Sequence, residues 1–359
     1  MPVLSLLKSL KSFILTLGAT VLAHRERGKP MSEVTGAKEF SYKLLNLDCQ
    51  QETARLTAFI SEILPGRLHR QGVVVGLSGG IDSSVTAALC VRALGPKRVI
   101  GLLMPEKASH QDTLKLSQLV GETLKIRTIL REITPILTGL NFYEEMTSCL
   151  QELVPEYAEN WKWKISASEL TEERIFTFFW LVVQSPLGVI IKRRLAADTL
   201  RRIVALSNFR QRVRKMLEYH YADRFNYAVA GTSNLLEIDQ GFFVKLGDGT
   251  GDFKPLAHLY KTQVYQLGEY LGLPEAITSR QPTADIHPLA QGQDEFFFLL
   301  PYKEIDACLY GQKNAIPPES VARATGLAEE KIRLVYKQIA HRRLANEYLR
   351  LPPLIMEEK

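Results

Sequence analysis

The sequence has little cysteine. Its four thiols, Cys49, Cys90, Cys149 and Cys308, are scattered over 359 residues with no CxxC pair. That spacing excludes a zinc ribbon and a disulfide scaffold and favours a reducing compartment. Cys90 sits in an apolar helical stretch and reads as a small core residue. Long clean apolar runs are also missing. Phe176 to Ile191 comes closest, but Gln184-Ser185-Pro186 and Gly188 break it, so no transmembrane helix is expected. There is no internal repeat and no low-complexity tract. What remains is 46% hydrophobic and 23% charged, the profile of a soluble globular chain. The net charge of +6 suits a polyanionic ligand such as a nucleotide and is too small to argue for nucleic acid.

Residues 1–38 read as an extension. Lys8 and Lys11 precede a short apolar run from Phe13 to Ala23 that loosely resembles a signal peptide, and Met31 offers an alternative start. The reading taken is an amphipathic or disordered extension of a cytoplasmic protein. Globular sequence spans 39–353, followed by a tail at 354–359.

Asp48 and Gln51 have capping-box spacing ahead of a helix carrying Leu56, Phe59, Ile60, Ile63 and Leu64. Val73 to Leu77 is a β-branched run suited to a buried parallel strand. A polar glycine turn follows, then a helix from Val85 to Leu94. Arg98 to Met104 reads as a second strand, Gln111 to Leu124 as a helix, and Ile126 to Ile133 as a third strand. This alternation predicts an α/β fold with a doubly wound parallel sheet, ligands binding at the strand C-termini. The rhythm lapses over about 141–200, an insertion rich in Trp161, Trp163, Phe176, Phe178, Phe179 and Trp180 and expected to be helical. It is open to three roles: extra core, a dimer interface, or a lid over the acceptor pocket. Large aromatic patches are usually buried, which favours the first two. Arginine-rich helical sequence from Arg201 to Tyr221 leads to a strand at Tyr227 to Gly231. A glycine-rich turn, a helix from Leu259 to Leu271 and a helical C-terminal region follow.

The chemistry concentrates first in Gly76-Leu77-Ser78-Gly79-Gly80-Ile81-Asp82-Ser83-Ser84. Gly79 and Gly80 admit an anion to the backbone, the serines add donors, and the following helix presents its positive end. The lysine of GxxxxGK[ST] is absent, and the acid Asp82 stands in its place. A carboxylate beside bound phosphates makes sense with a cation such as Mg²⁺ between them. This strand–SGGIDSS–helix unit resembles the pyrophosphate loop of the N-type ATP pyrophosphatases, whose fold is adenine nucleotide α-hydrolase-like. A second motif, Gly231-Thr232-Ser233-Asn234-Leu235-Leu236-Glu237, joins a strand to a helix, with Thr232 or Ser233 the expected cap.

With Gly241 to Gly249, Asp252-Phe253-Lys254-Pro255-Leu256, Leu259 to Val264, Pro282-Thr283-Ala284-Asp285, Tyr302 to Asp306 and His341-Arg342-Arg343, these motifs resemble the ammonia-dependent NAD⁺ synthetase family. The resemblance implies that Gly76, Leu77, Ser78, Gly79, Gly80, Ile81, Asp82 and Ser83 hold the ATP phosphates, with Thr232, Lys261 and Thr283 also contacting ATP. It implies that Asp82 and Glu237 bind Mg²⁺ and that both act in catalysis with Lys261. Arg212, Lys245, Asp252, His341 and Arg342 would contact deamido-NAD⁺. The implied enzyme is an ATP-dependent ligase of NAD biosynthesis, acting as a homodimer on ATP, ammonia and deamido-NAD⁺ through an acyl-adenylate.

Nothing ahead of Glu39 has the length of a glutaminase, so the nitrogen is expected as free ammonia or from an ammonia-donating glutaminase partner. Neither nucleic acid nor a membrane is expected as a partner. Arg342 stands where the family usually has lysine, and the two cations differ at a tight contact. Phe296 to Leu300 is more apolar than the family pattern. Alternatives are the same chemistry on another carboxylate, a catalytically dead binding module, or a nucleic-acid protein. The last rests on the helix–glycine–helix cadence of Glu319 to Ile339, which reads more simply as two packed helices.

Overall fold

The computed structural model describes residues 39–109, 111–167, 178–280, 288–289 and 300–356. The N-terminal extension, Phe176, the Pro282 to Asp285 motif with Thr283, the Phe296 to Leu299 run and the tail beyond residue 356 lie outside the described residues.

Four parallel strands form the central sheet in the order β3-β2-β1-β7: β1 (Val73–Gly76), β2 (Val99–Leu103), β3 (Arg127–Leu130) and β7 (Ala228–Val229). Val73 pairs with Val99 and with Ala228, and Ile100 with Arg127. The two central strands are apolar at nearly every position because both faces are covered. Val73 and Val75 point into a core with α1 (Cys49–Gly66) and α2 (Ile81–Leu94), while Val74, Ile100 and Leu102 meet Tyr221 and Ala222. The doubly wound parallel sheet is therefore as expected. Its ends are shorter than the apolar runs, since pairing stops where the neighbouring strand stops.

The insertion departs from the expected helical form. Ahead of it lie α3 (Gln111–Thr123) and α4 (Thr134–Gly139); it begins with α5 (Phe142–Gln151), but its larger part is an antiparallel sheet, β4 (Lys162–Ala167), β5 (Phe179–Gln184) and β6 (Ile190–Arg194). The physical reason lies in a period of two. Trp163 and Ile165 alternate inward against Leu181 and Val183, while Lys162 and Gln184 face away. The Ser185 to Val189 turn, with Gly188 at φ 84°, makes the hairpin. The sheet packs on the start of α6 (Ala197–Phe225) through a core including Phe142, Trp163, Leu181 and Ile203. Extra core is thus one role the insertion fills.

The C-terminal region is helical: α10 (Tyr302–Lys313), α11 (Pro318–Thr325) and α12 (Glu329–Ala345), after α7 (Leu235–Gln240), α8 (Lys261–Tyr270) and α9 (Glu275–Thr278). Gly326, at φ 74°, ends α11. Ile332, Val335 and Ile339 of α12 are buried with Val321, so this cadence is a packed helix pair. No helix among the described residues is long and apolar enough to cross a membrane.

Candidate active site

The starts of three helices meet at the C-terminal edge of β1. The first is α2, which begins at Ile81, earlier than its apolar pattern suggests. The Ser83 and Ser84 hydroxyls donate to the Gly80 carbonyl at 3.1 and 2.8 Å, and this backbone bonding draws Asp82 into the first helical turn. Gly79 is held at φ 70°, where a Cβ would lie 2.7 Å from Leu116 Cβ. The Ser78 backbone N–H donates to Ser83 Oγ at 3.3 Å, closing the loop on itself.

The second is α7. Its cap is Asn234, not Thr232 or Ser233: the Asn234 side chain accepts from the Glu237 N–H at 3.0 Å, and the Glu237 carboxylate accepts from the Asn234 N–H at 3.2 Å. This reciprocal box fixes the Glu237 side chain on the inner side of the turn. The Asn234 amide then donates to Asp82 Oδ1 at 3.0 Å. The third is α8, whose first residue, Lys261, is 1% exposed and donates its ammonium to Asp82 Oδ2. One aspartate thus receives both an amide and an ammonium, and Glu237 stands beside it.

The electrostatics follow from this crowding. Burial, then the neighbouring Asp82 carboxylate, pushes the Glu237 carboxyl up. Burial opposes the charge on Lys261, yet Asp82 and Glu237 outweigh it and raise the ammonium. Two recessed carboxylates with a single ammonium form a site that gains from a further cation. Among the described residues no cluster of three or more metal-ligating side chains occurs. Two carboxylates beside substrate phosphates and water are what Mg²⁺ takes, so the donor set fits that ion.

The loop from Gly76 to Ser83 lines a cavity of about 610 Å³, apart from Gly79, which is turned toward Leu116. Thr232, Glu237 and Lys261 share its wall, and so do Arg212 and Lys245 from the expected acceptor set. Arg212 Nε donates to the Lys245 carbonyl at 3.2 Å. The Lys245 ammonium in turn holds the Tyr348 and Leu351 carbonyls at 2.8 and 3.1 Å, tying the C-terminal segment to the cavity rim. The other three acceptor candidates do not line this cavity. Asp252 accepts from the Val229 N–H at 2.8 Å and from the Tyr219 hydroxyl at 3.2 Å at the end of β7. His341 is exposed on α12, and burial pushes the neighbouring Arg342 guanidinium down to about 10.

Several cavity residues are additions to the expected set. Lys215 and Glu218 form a buried pair at 2.6 Å on α6, with the Glu218 carboxyl raised by burial. Asp248 accepts from the Val244 N–H at 2.7 Å. Ile165 and Phe179 of the inserted sheet complete part of the wall. Asn234 carried a readable signal, an asparagine three residues before a glutamate. For Lys215 and Glu218 the i,i+3 spacing was visible, but not that their shared face turns inward.

Comparison with known proteins agrees with this geometry. The family model described as NAD synthase matches residues 52–162 and 184–353. The NH(3)-dependent NAD(+) synthetase of Mesorhizobium japonicum is 47% identical over 88% of this chain and 99% of its own length. That of Rhizobium meliloti is 44% identical over 89% of this chain and 95% of its own. Among solved structures, the NH3-dependent NAD synthetase of Campylobacter jejuni superposes with a TM-score of 0.57 at 25% identity, covering 87% of this chain and 100% of that one. With a glycine loop, two helix-borne carboxylates and a buried lysine meeting in one cavity, and a family match across most of its length, the chain belongs to the NAD synthase family.

Proposed function

We propose that this protein is an ATP-dependent amide ligase that converts deamido-NAD⁺ to NAD⁺ with ammonia, releasing AMP and pyrophosphate. The nicotinate carboxylate attacks the α-phosphorus of ATP, pyrophosphate leaves, and an acyl-adenylate forms. Ammonia then adds to the acyl carbon, AMP departs, and the nitrogen loses a proton. The observation that carries this reading is the joint placement of Asp82, Glu237 and Lys261 at one edge of a cavity that also holds Arg212 and Lys245. Transfer of an adenylyl group depends mainly on positioning and charge neutralisation, and these residue types supply both.

Asp82 and Glu237 are the residues that would hold Mg²⁺, which when bound neutralises phosphate charge. Asn234 keeps the Asp82 and Glu237 carboxylates in register, and the Ser78 loop with the start of α2 receives the phosphates. Lys261, paired with Asp82 here, is placed to turn its ammonium to a phosphate oxygen. The expected acceptor contacts of Asp252, His341 and Arg342 fit a homodimer in which a second copy completes the acceptor cleft. A cytoplasmic setting accords with four free thiols.

The test is to incubate the protein with ATP, Mg²⁺, ammonia and deamido-NAD⁺. Equal amounts of NAD⁺, AMP and pyrophosphate support the reading. AMP formed only with some other carboxylic acid would refute it.

A further inference from the structure

The family model leaves out residues 163–183, which carry most of β4 and β5. Two side chains from that unmatched stretch, Ile165 and Phe179, nevertheless line the same cavity as Ser78 and Lys261. They sit at one end of a stripe on α6. Leu200, Val204, Asn208 and Arg212 recur every four residues along the cavity, and Leu195, just ahead of the helix, donates its N–H to the Phe179 carbonyl at 2.9 Å. At the other end, Glu218 of the same helix approaches Gly76 at the phosphate loop, where a Cβ would meet its Oε1 at 2.7 Å.

The helix therefore measures the site. From Leu200 to Glu218 the axis rises roughly 27 Å at about 1.5 Å per residue. Adenylation fixes the acceptor's reacting carboxylate beside the ATP α-phosphate, near the loop. The Phe179 end is too far away to touch that carboxylate. An acceptor reaches it only through a long remote half, and the wall there is apolar: Ile165 is 2% exposed and Phe179 offers a partly open ring. An aromatic ring on an apolar wall suits a flat base.

We infer that the inserted sheet is a specificity wall for the remote base of a dinucleotide acceptor, with the Phe179 ring as its contact. This rests on the ligase reading above. Deamido-NAD⁺ carries such a base and nicotinate mononucleotide does not, so the two acceptors separate the idea from a merely structural role. Ile165 belongs to the core beneath and holds the strand in place; Phe179, only partly buried against that core, is the residue to change.

Binding of deamido-NAD⁺, nicotinate mononucleotide and ATP is measured by calorimetry on wild type, Phe179→Ala and Phe179→Tyr, each checked by thermal unfolding. In Phe179→Ala, Kd for deamido-NAD⁺ rises about ten-fold while Kd for the mononucleotide and for ATP stays within about two-fold. Phe179→Tyr, which keeps the ring, restores the wild-type value. Unchanged deamido-NAD⁺ binding in Phe179→Ala, or an equal loss for the mononucleotide or ATP, overturns the inference while leaving the ligase reading in place. A wild-type protein that binds no deamido-NAD⁺ overturns both.

Discussion

The side-chain amide of Asn234 donates to Oδ1 of Asp82 at 3.0 Å, joining the first turn of one helix to the cap of another across 152 positions of sequence. Since Asn234 also accepts from the Glu237 N–H, one residue sets the spacing of both carboxylates.

Replacing Asn234 therefore has two separable effects. Asn234→Ala removes the cap and lowers stability by about 1 kcal/mol. Asn234→Asp keeps the cap but loses the donor and sets a third carboxylate against Asp82. The expected result for Asn234→Asp, whose side chain is buried, is a clear loss of stability without added Mg²⁺ and a shifted Mg²⁺ concentration for half-maximal pyrophosphate release. An unchanged Mg²⁺ requirement would contradict this role.

Breaking the Asp82–Lys261 pair should destabilise the fold, because the Lys261 side chain is 2% exposed and its ammonium would be left facing Glu237 alone. Asp82→Asn is expected to cost about 3 kcal/mol in urea unfolding. Adding Lys261→Met to Asp82→Asn should recover much of that loss without recovering pyrophosphate release. Stability and catalysis thus separate in the double variant.

Gly79 has a positive φ and no room for a methyl group, with Leu116 Cβ and the Thr113 carbonyl at 2.7 and 3.0 Å from an added Cβ. Gly79→Ala should cost about 1–3 kcal/mol and weaken ATP binding, because the loop must shift to admit it. Thermal unfolding and nucleotide titration check both parts.

Asp306 lies fully buried in α10, where its Oδ2 accepts from the Thr262 N–H at 2.8 Å; its Oδ1 has no hydrogen-bond partner among the described residues. Burial pushes its carboxyl up to about 7, against the bond from Thr262. A folded-state value above the unfolded one means that the native state binds the extra proton. Its contribution is fully present below about pH 4 and lost as pH rises through about 7. Asp306→Asn should therefore gain stability relative to wild type as pH goes from about 5 to about 8, by a few kcal/mol. A constant difference across that range would contradict the assignment.

The sheet and the glycine loop at its edge were legible because each is encoded contiguously: a β-branched strand, two glycines, then serines that close on Gly80. That Glu237 and Lys261 would share one cavity wall was legible through their motifs. The inserted sheet was not, since its aromatic run looks alike in a helix or a strand until pairing with Leu181 and Val183 is known. The cap at Asn234 was misplaced for a similar reason. Thr232, Ser233 and Asn234 can all cap a helix, and only the bond to Glu237 decides among them. Lys215 and Glu218 needed the tertiary fold, because burial selects them from many charged residues on polar-looking segments.

The reaction proposed for this site is the adenylation of a carboxylate. Deamido-NAD⁺ labelled with ¹⁸O in both carboxylate oxygens tests it directly, in a single reaction with ATP, Mg²⁺ and ammonia. Attack on the α-phosphorus predicts one labelled oxygen in the AMP formed and the other in the amide of NAD⁺. Unlabelled AMP, or label in pyrophosphate or inorganic phosphate, would contradict it.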